Sequence, residues 1–241
     1  MIKTLPAWAV HAFTASGSVV ALLTLAKIHN HQYIHALLFM GLAIFIDAVD
    51  GTLARVLKVK ELVPKIDGAL LDNIIDFLNY VITPCFFLWV APDILPANIK
   101  WIAITVVCMA SSYQFTQSDA KTEDHFFKGF PCYWNLVVMY LYLFTPTPWI
   151  SATVLFVLSI LVFIPIKYVY PSRLDYLTKN RNLKVLMFIA SLFYGLHCLL
   201  MVLFYPRIPS FLVWYSISYI VFYISFSFLR TISPILKART S

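Results

Sequence analysis

Eight runs of apolar residues dominate this 241-residue chain, at 7–26, 32–50, 69–91, 98–115, 133–147, 149–168, 183–205 and 210–229. Crossing ~30 Å of hydrocarbon as a helix takes about 20 such residues. In lipid a backbone must satisfy its own polar groups, which leaves helices and closed barrels. These runs are continuous rather than alternating, so the barrel is excluded. The fifth run is the weakest, because it is short and Pro146 and Pro148 close it. Composition agrees. The chain is 61% hydrophobic and 12% charged, against about 25% charged in an ordinary soluble domain. A soluble domain of this size could not hide that much apolar surface, and a disordered chain would not contain it. The four cysteines, Cys85, Cys108, Cys132 and Cys198, share no metal or redox spacing. The expected fold is an all-α polytopic membrane protein with about eight transmembrane helices. No linker, repeat or low-complexity segment divides it, so residues 1–241 are expected to form a single integral membrane domain.

Lys and Arg set the expected orientation. With both termini cytoplasmic, fifteen of them fall inside: Lys3, Arg55, Lys58, Lys60, Lys65, Lys121, Lys128, Lys167, Arg173, Lys179, Arg181, Lys184, Arg230, Lys237 and Arg239. Three fall outside: Lys27, Lys100 and Arg207. Such a bias is the positive-inside pattern, and an odd number of spans would mix the two sets. It also accounts for the net charge of +7. The basic residues form no stripe, so no nucleic-acid partner is expected. The first apolar run lacks a small-residue cleavage site, so no cleavable signal is expected.

Carboxylates are scarce, and their placement is informative. Six of the eleven Asp and Glu fall between Asp47 and Asp76. Asp47 and Asp50 are spaced i, i+3 and share a helix face, which Gly51 and Ala54 continue. Gly68, Asp72 and Asp76 form an i, i+4, i+8 stripe on the next helix. A short loop joins the two helices (32–91), so they should be antiparallel neighbours. Four carboxylates then converge at one end of the helices. Ionisable groups in membrane helices are costly and mark function, and a bare cluster would repel itself. Divalent cations remove the repulsion. Oxygen donors suit Mg²⁺ or Mn²⁺, and four bridging carboxylates suit two ions. Gly51, Ala54 and Gly68 leave room for a phosphate-bearing ligand, and Arg55 could grip it. Taken singly, the glycines could instead serve helix packing, and Arg55 could be one more positive-inside charge.

The run from Asp47 to Arg55, followed by Gly68, Asp72 and Asp76, resembles the signature D-x-x-D-G-x-x-A-R, spacer, G-x-x-x-D-x-x-x-D of the CDP-alcohol phosphotransferases. All eight fixed positions are present. The spacer, Val56 to Asp67, is about a helical turn longer than is usual in that family, which bears most on the role of Arg55. The long spacer, the eight spans and runs such as VKELVPKIDGALLDNIIDF and DAKTEDHFFKGFPCYWN are similar to the family's bacterial phosphatidylcholine synthase branch.

The resemblance implies transfer of a phosphatidyl group from CDP-diacylglycerol to choline, with release of CMP. It implies two metal ions, Mn²⁺ or Mg²⁺. Asp47, Asp50 and Asp72 would hold one, and Asp47, Asp72 and Asp76 the other. Asp76 would also accept the choline proton. Gly51, Ala54, Arg55 and Gly68 would contact the donor nucleotide. The resemblance further implies a multi-pass protein of the bacterial inner membrane with its site on the cytoplasmic side. Family members are often dimers, so a homodimer is expected.

Thr14 and Ser16 in the first span read either as packing and capping residues or as nucleotide contacts. Thr14 is expected to contact the donor. Choline has no N–H and is best held by aromatic faces and a carboxylate. Tyr80, Tyr113, Asp119, Glu123, Tyr133 and Trp134 supply both, though aromatics in a membrane protein are also belt and core residues. The six histidines form no ligand set. Three rival readings differ in testable ways. Another alcohol, serine first, would make the chain a phosphatidylserine synthase. An intramembrane prenyltransferase would lack the Asp-Gly-x-x-Ala-Arg element. An ion-coupled transporter would favour repeats and broken helices near the midplane, whereas here no repeat is visible and the acids lie at helix ends.

Overall fold

A computed structural model describes residues 4–120, 127–169 and 181–240. The chain is an all-α polytopic membrane protein. Its helices are α1 (Leu5–His29), α2 (Tyr33–Val56), α3 (Val59–Leu62), α4 (Gly68–Phe77), α5 (Thr83–Val90), α6 (Lys100–Thr116), α7 (Trp134–Phe144), α8 (Pro148–Leu161), α9 (Arg181–Phe204) and α10 (Ser210–Thr240). A π turn, Leu78–Ile82, joins α4 to α5, so residues 68–90 run as one interrupted rod. Among the described residues, two short strands, β1 (Phe127–Lys128) and β2 (Lys167–Tyr168), pair antiparallel.

Each of the eight apolar runs coincides with helix. Among the described residues, five segments are long and apolar enough to cross a membrane: Leu5–His29, Tyr33–Val56, Gly68–Val90, Val185–Phe204 and Ser210–Leu229. The other three runs give shorter helices, of 17 residues for α6, 11 for α7 and 14 for α8. At 1.5 Å per residue, α7 is only about 17 Å long. It stops because Thr145 adopts a left-handed conformation (φ 41°) and Pro146 follows. The sixth run does not stay helical to 168 as its hydropathy predicts. Pro165 lacks an N–H and disfavours helix at Ile164. Helix therefore ends at Leu161, and Lys167–Tyr168 becomes β2.

The chain forms two compact units. The first comprises Met1–Cys108 and Tyr133–Ala152, and the second Met109–Cys132 and Thr153–Ser241. In the first, α1 is the central element and packs against α2, α3, α4, the π turn and α5. The short helix α3 lies within the long spacer and forms one turn of its own. It docks through Val59 and Val63 onto Ala7 and Val10 of α1. Large apolar side chains on the outside of this unit, including Leu22, Phe45 and Trp101, are more than half exposed, as expected where lipid covers them. In the second unit, α9 and α10 zip together through stacked rings, Tyr194 on Tyr219 and His197 on Tyr215. β2 is tied to α10 by backbone N–H groups donating to Ser227 and Thr231 hydroxyls.

Close approach of α1 to α4 depends on Gly17. A Cβ there would lie 2.5 Å from Cγ2 of Ile75, the near branch of a stiff β-branched side chain. The same contact seats Asn79, whose amide donates to the Gly17 carbonyl at 3.0 Å. Gly17→Ala is expected to cost about 1–3 kcal/mol through overpacking. Melting in detergent should show a lowered Tm, restored in part by adding Ile75→Ala. An unchanged Tm for Gly17→Ala would mean that the helices separate freely at this point.

Candidate active site

The site is assembled within the first unit, at one end of α1, α2 and α4. Asp47 and Asp50 lie on α2 and Asp72 on α4. Oxygens of these three carboxylates lie within 4.8 Å of one another. Asp50 is buried, while Asp47 and Asp72 are half-buried. Three carboxylates at this separation repel, and burial removes the water that would screen them. An all-oxygen donor set at this spacing fits a hard divalent cation such as Mg²⁺ or Mn²⁺. Asp76 lies one turn beyond Asp72 on α4. The structure thus gathers the ligands expected for one ion.

Sequence decides much of this locally. Asp67 caps α4, its carboxylate accepting from the N–H groups of Ala69 and Leu70 at 3.1 and 3.0 Å. That cap starts the helix at Gly68 and so fixes the phase of Asp72 and Asp76. Lys58, in a left-handed conformation (φ 49°), ends α2 and turns the chain into α3.

The donor-binding candidates surround the trio. Thr14, buried on α1, hydrogen-bonds the Asp50 carboxylate. Ser16 instead bonds back to the Phe13 carbonyl, a packing role. Arg55 is exposed and folds back along α2, donating to the Thr52 hydroxyl at 3.0 Å. Its guanidinium covers Gly51, where a Cβ would stand 3.4 Å from it. Ala54 is half-buried against α3 and the start of α1. At Gly68 the space that a Cβ would occupy faces the imidazole of His11, with Cε1 at 3.2 Å. Sequence reasoning passed over His11, since it forms no ligand set. Its i, i+3 spacing to Thr14 is the signal that puts it on this face of α1.

The choline candidates divide. Tyr80 is buried on the π turn, and its hydroxyl donates to Oδ2 of Asp47 at 2.7 Å. Its ring packs against Tyr133, with centroids 6.4 Å apart. Trp134, at the start of α7, is wholly buried. Tyr113 and Asp119 belong to the second unit. The Tyr113 ring stacks on Phe163. Asp119 is exposed and ion-paired with Lys128, whose hydrogen bond holds the carboxyl below the usual range. Glu123 lies outside the described residues.

Comparison with known proteins agrees with this arrangement. A family model described as CDP-alcohol phosphatidyltransferase matches residues 7–165, which takes in α1, α2, α4 and every signature position. The chain is 51% identical to a phosphatidylcholine synthase of Legionella pneumophila over 233 residues, covering 97% of this chain and 91% of that one. It is 51% identical to a phosphatidylcholine synthase of Legionella bozemanae over 89% of this chain and 99% of the relative. A phosphatidylcholine synthase of Borreliella burgdorferi is 39% identical over 80% and 83% of the respective chains.

Proposed function

The chain belongs to the CDP-alcohol phosphatidyltransferase family, and on that premise we propose that it is a phosphatidylcholine synthase. The observation that carries the choice of acceptor is the 51% identity, over nearly the whole chain, to a phosphatidylcholine synthase. In the proposed reaction the choline oxygen attacks the phosphorus that bears the diacylglycerol of CDP-diacylglycerol. The P–O bond to CMP breaks, and CMP leaves. Choline's hydroxyl proton passes to Asp76, and the products are phosphatidylcholine and CMP.

Asp47, Asp50 and Asp72 are the proposed ligands of one divalent ion, and Asp47, Asp72 and Asp76 of a second, Mn²⁺ or Mg²⁺. When bound there, such cations would neutralise the donor diphosphate and the developing charge on the leaving phosphate. The convergence of three carboxylates supports such a site. Protein residues do the rest. Thr14, Gly51, Ala54, Arg55 and Gly68 are proposed to bind and orient the donor, so that attack is in line. Asp76 serves as the base that a weak alcohol nucleophile needs. Among the choline candidates, Tyr80, Tyr133 and Trp134 stand in the unit that holds the carboxylates. Tyr113, Asp119, Glu123 and Trp134 remain proposals for mutagenesis. The amphiphilic donor suits a site at helix ends, with acyl chains in lipid and nucleotide in water. Lysine and arginine placement supports the cytoplasmic side of a bacterial inner membrane. We further propose that residues 1–241 act as one catalytic domain and that the protein works as a homodimer.

The direct test uses detergent-purified protein, CDP-dioleoylglycerol and labelled choline, with and without Mn²⁺. Labelled phosphatidylcholine with stoichiometric CMP, lost on chelation, is the expected result. CMP release with serine and none with choline would keep the family and overturn the acceptor. No CMP release with any alcohol from folded protein would overturn the proposed reaction.

A further inference from the structure

Position 80 extends the stripe Gly68, Asp72, Asp76 by one more step of four. In an α-helix each such step overshoots a full turn by about 40°, so the stripe drifts off the carboxylate face. The π turn at Leu78–Ile82 winds less per residue and takes back part of that drift. Tyr80 therefore still faces α2, where its hydroxyl meets Oδ2 of Asp47 at 2.7 Å. The turn is held in place from both sides. Asn79 donates to the carbonyls of Gly17 on α1 and of Ile75 at 3.0 Å each, and the Thr83 hydroxyl donates to the Asn79 carbonyl at 2.8 Å. Tyr80 and Asn79 are both buried. A π turn costs regular helical hydrogen bonding, and such turns occur frequently at functional sites.

We propose that Tyr80 is a positioning residue for Asp47. Its hydroxyl holds one carboxylate oxygen and so fixes how Asp47 is presented to Asp50 and Asp72. The inference rests on the metal-site reading above and adds a residue that the eight-position signature does not contain. It also separates two roles for one side chain. The hydroxyl orients a carboxylate, while the ring is buried and packs beside Tyr133. Hydrogen-bond partners of metal ligands fix the ligand's orientation, and their loss typically weakens metal binding by about 10–100-fold.

Tyr80→Phe removes one oxygen and keeps the ring. The test is Mn²⁺ titration of detergent-purified wild type and Tyr80→Phe by calorimetry, with no lipid donor present. Metal-free Tm and size-exclusion profile are measured alongside. The expected result is a Kd for Mn²⁺ raised roughly 10–100-fold, with metal-free Tm close to wild type. In the transfer assay the half-activating Mn²⁺ concentration should rise by a similar factor. Excess Mn²⁺ should restore the rate, and choline KM at saturating Mn²⁺ should be unchanged. Equal Mn²⁺ affinity in the two proteins would overturn the proposal. So would a raised choline KM with unaltered Mn²⁺ binding, which would assign the hydroxyl to the acceptor. If wild type itself binds no Mn²⁺ or Mg²⁺, the metal-site reading fails, and the role of Tyr80 fails with it.

Discussion

Asp47→Asn and Asp72→Asn are each expected to lower transfer by roughly three orders of magnitude or more, since one preorganised donor in an active site is already worth about 10²–10³. Both residues belong to the trio whose oxygens lie within 4.8 Å, and both are proposed to bridge the two ions. An amide oxygen is a weaker ligand and carries no charge to offset a dication. The substitutions should also leave a second trace. Each removes one of three mutually repelling carboxylates, so the metal-free protein should melt at the same temperature or higher. Mn²⁺ is expected to raise the Tm of the wild type and not that of the variants. CMP release and thermal melting, each with and without Mn²⁺, check both. Near-normal CMP release from both variants would sink the metal-site assignment.

Asp76→Asn should fail differently. Asp47, Asp50 and Asp72 form a trio without Asp76, so they can still bind an ion when it is replaced. The rate of transfer should nonetheless fall by about 10²–10⁴-fold, the usual worth of a positioned general base. Mn²⁺ affinity at the first site should change little, and excess Mn²⁺ should not restore the rate. A variant rescued by Mn²⁺ would leave Asp76 only its role as a ligand of the second ion and leave the base unassigned. Comparing Asp72→Asn with Asp76→Asn on the same helix therefore separates charge neutralisation from proton transfer.

Much of the molecule was legible in the chain. Apolar runs revealed the helices because lipid leaves a spanning backbone few alternatives. Spacing placed Asp47 with Asp50, and Asp72 with Asp76, because helical periodicity is local. The ends of helices were less legible. Pro165 stopped α8 before the hydropathy did, and a left-handed Thr145 shortened α7. The four-residue excess in the spacer was readable as a turn of helix. That the turn would be α3, docked on α1 through Val59 and Val63, was not.

By itself the sequence determined that this is a helical membrane protein, that its carboxylates lie at one end of two adjacent helices, and that its signature is that of the CDP-alcohol phosphatidyltransferases. These follow from short-range rules: hydropathy over a span, periodicity over a turn, and identity at fixed offsets. Tertiary structure decided which side chains from other helices complete the site. It set Thr14 of α1 against Asp50, His11 against Gly68, and Tyr80 against Asp47, 33 residues away in the chain. No local pattern carries those pairings. They depend on how closely Gly17 lets α4 approach α1 and on a π turn that rotates Tyr80 toward the carboxylates, and both are properties of packed helices.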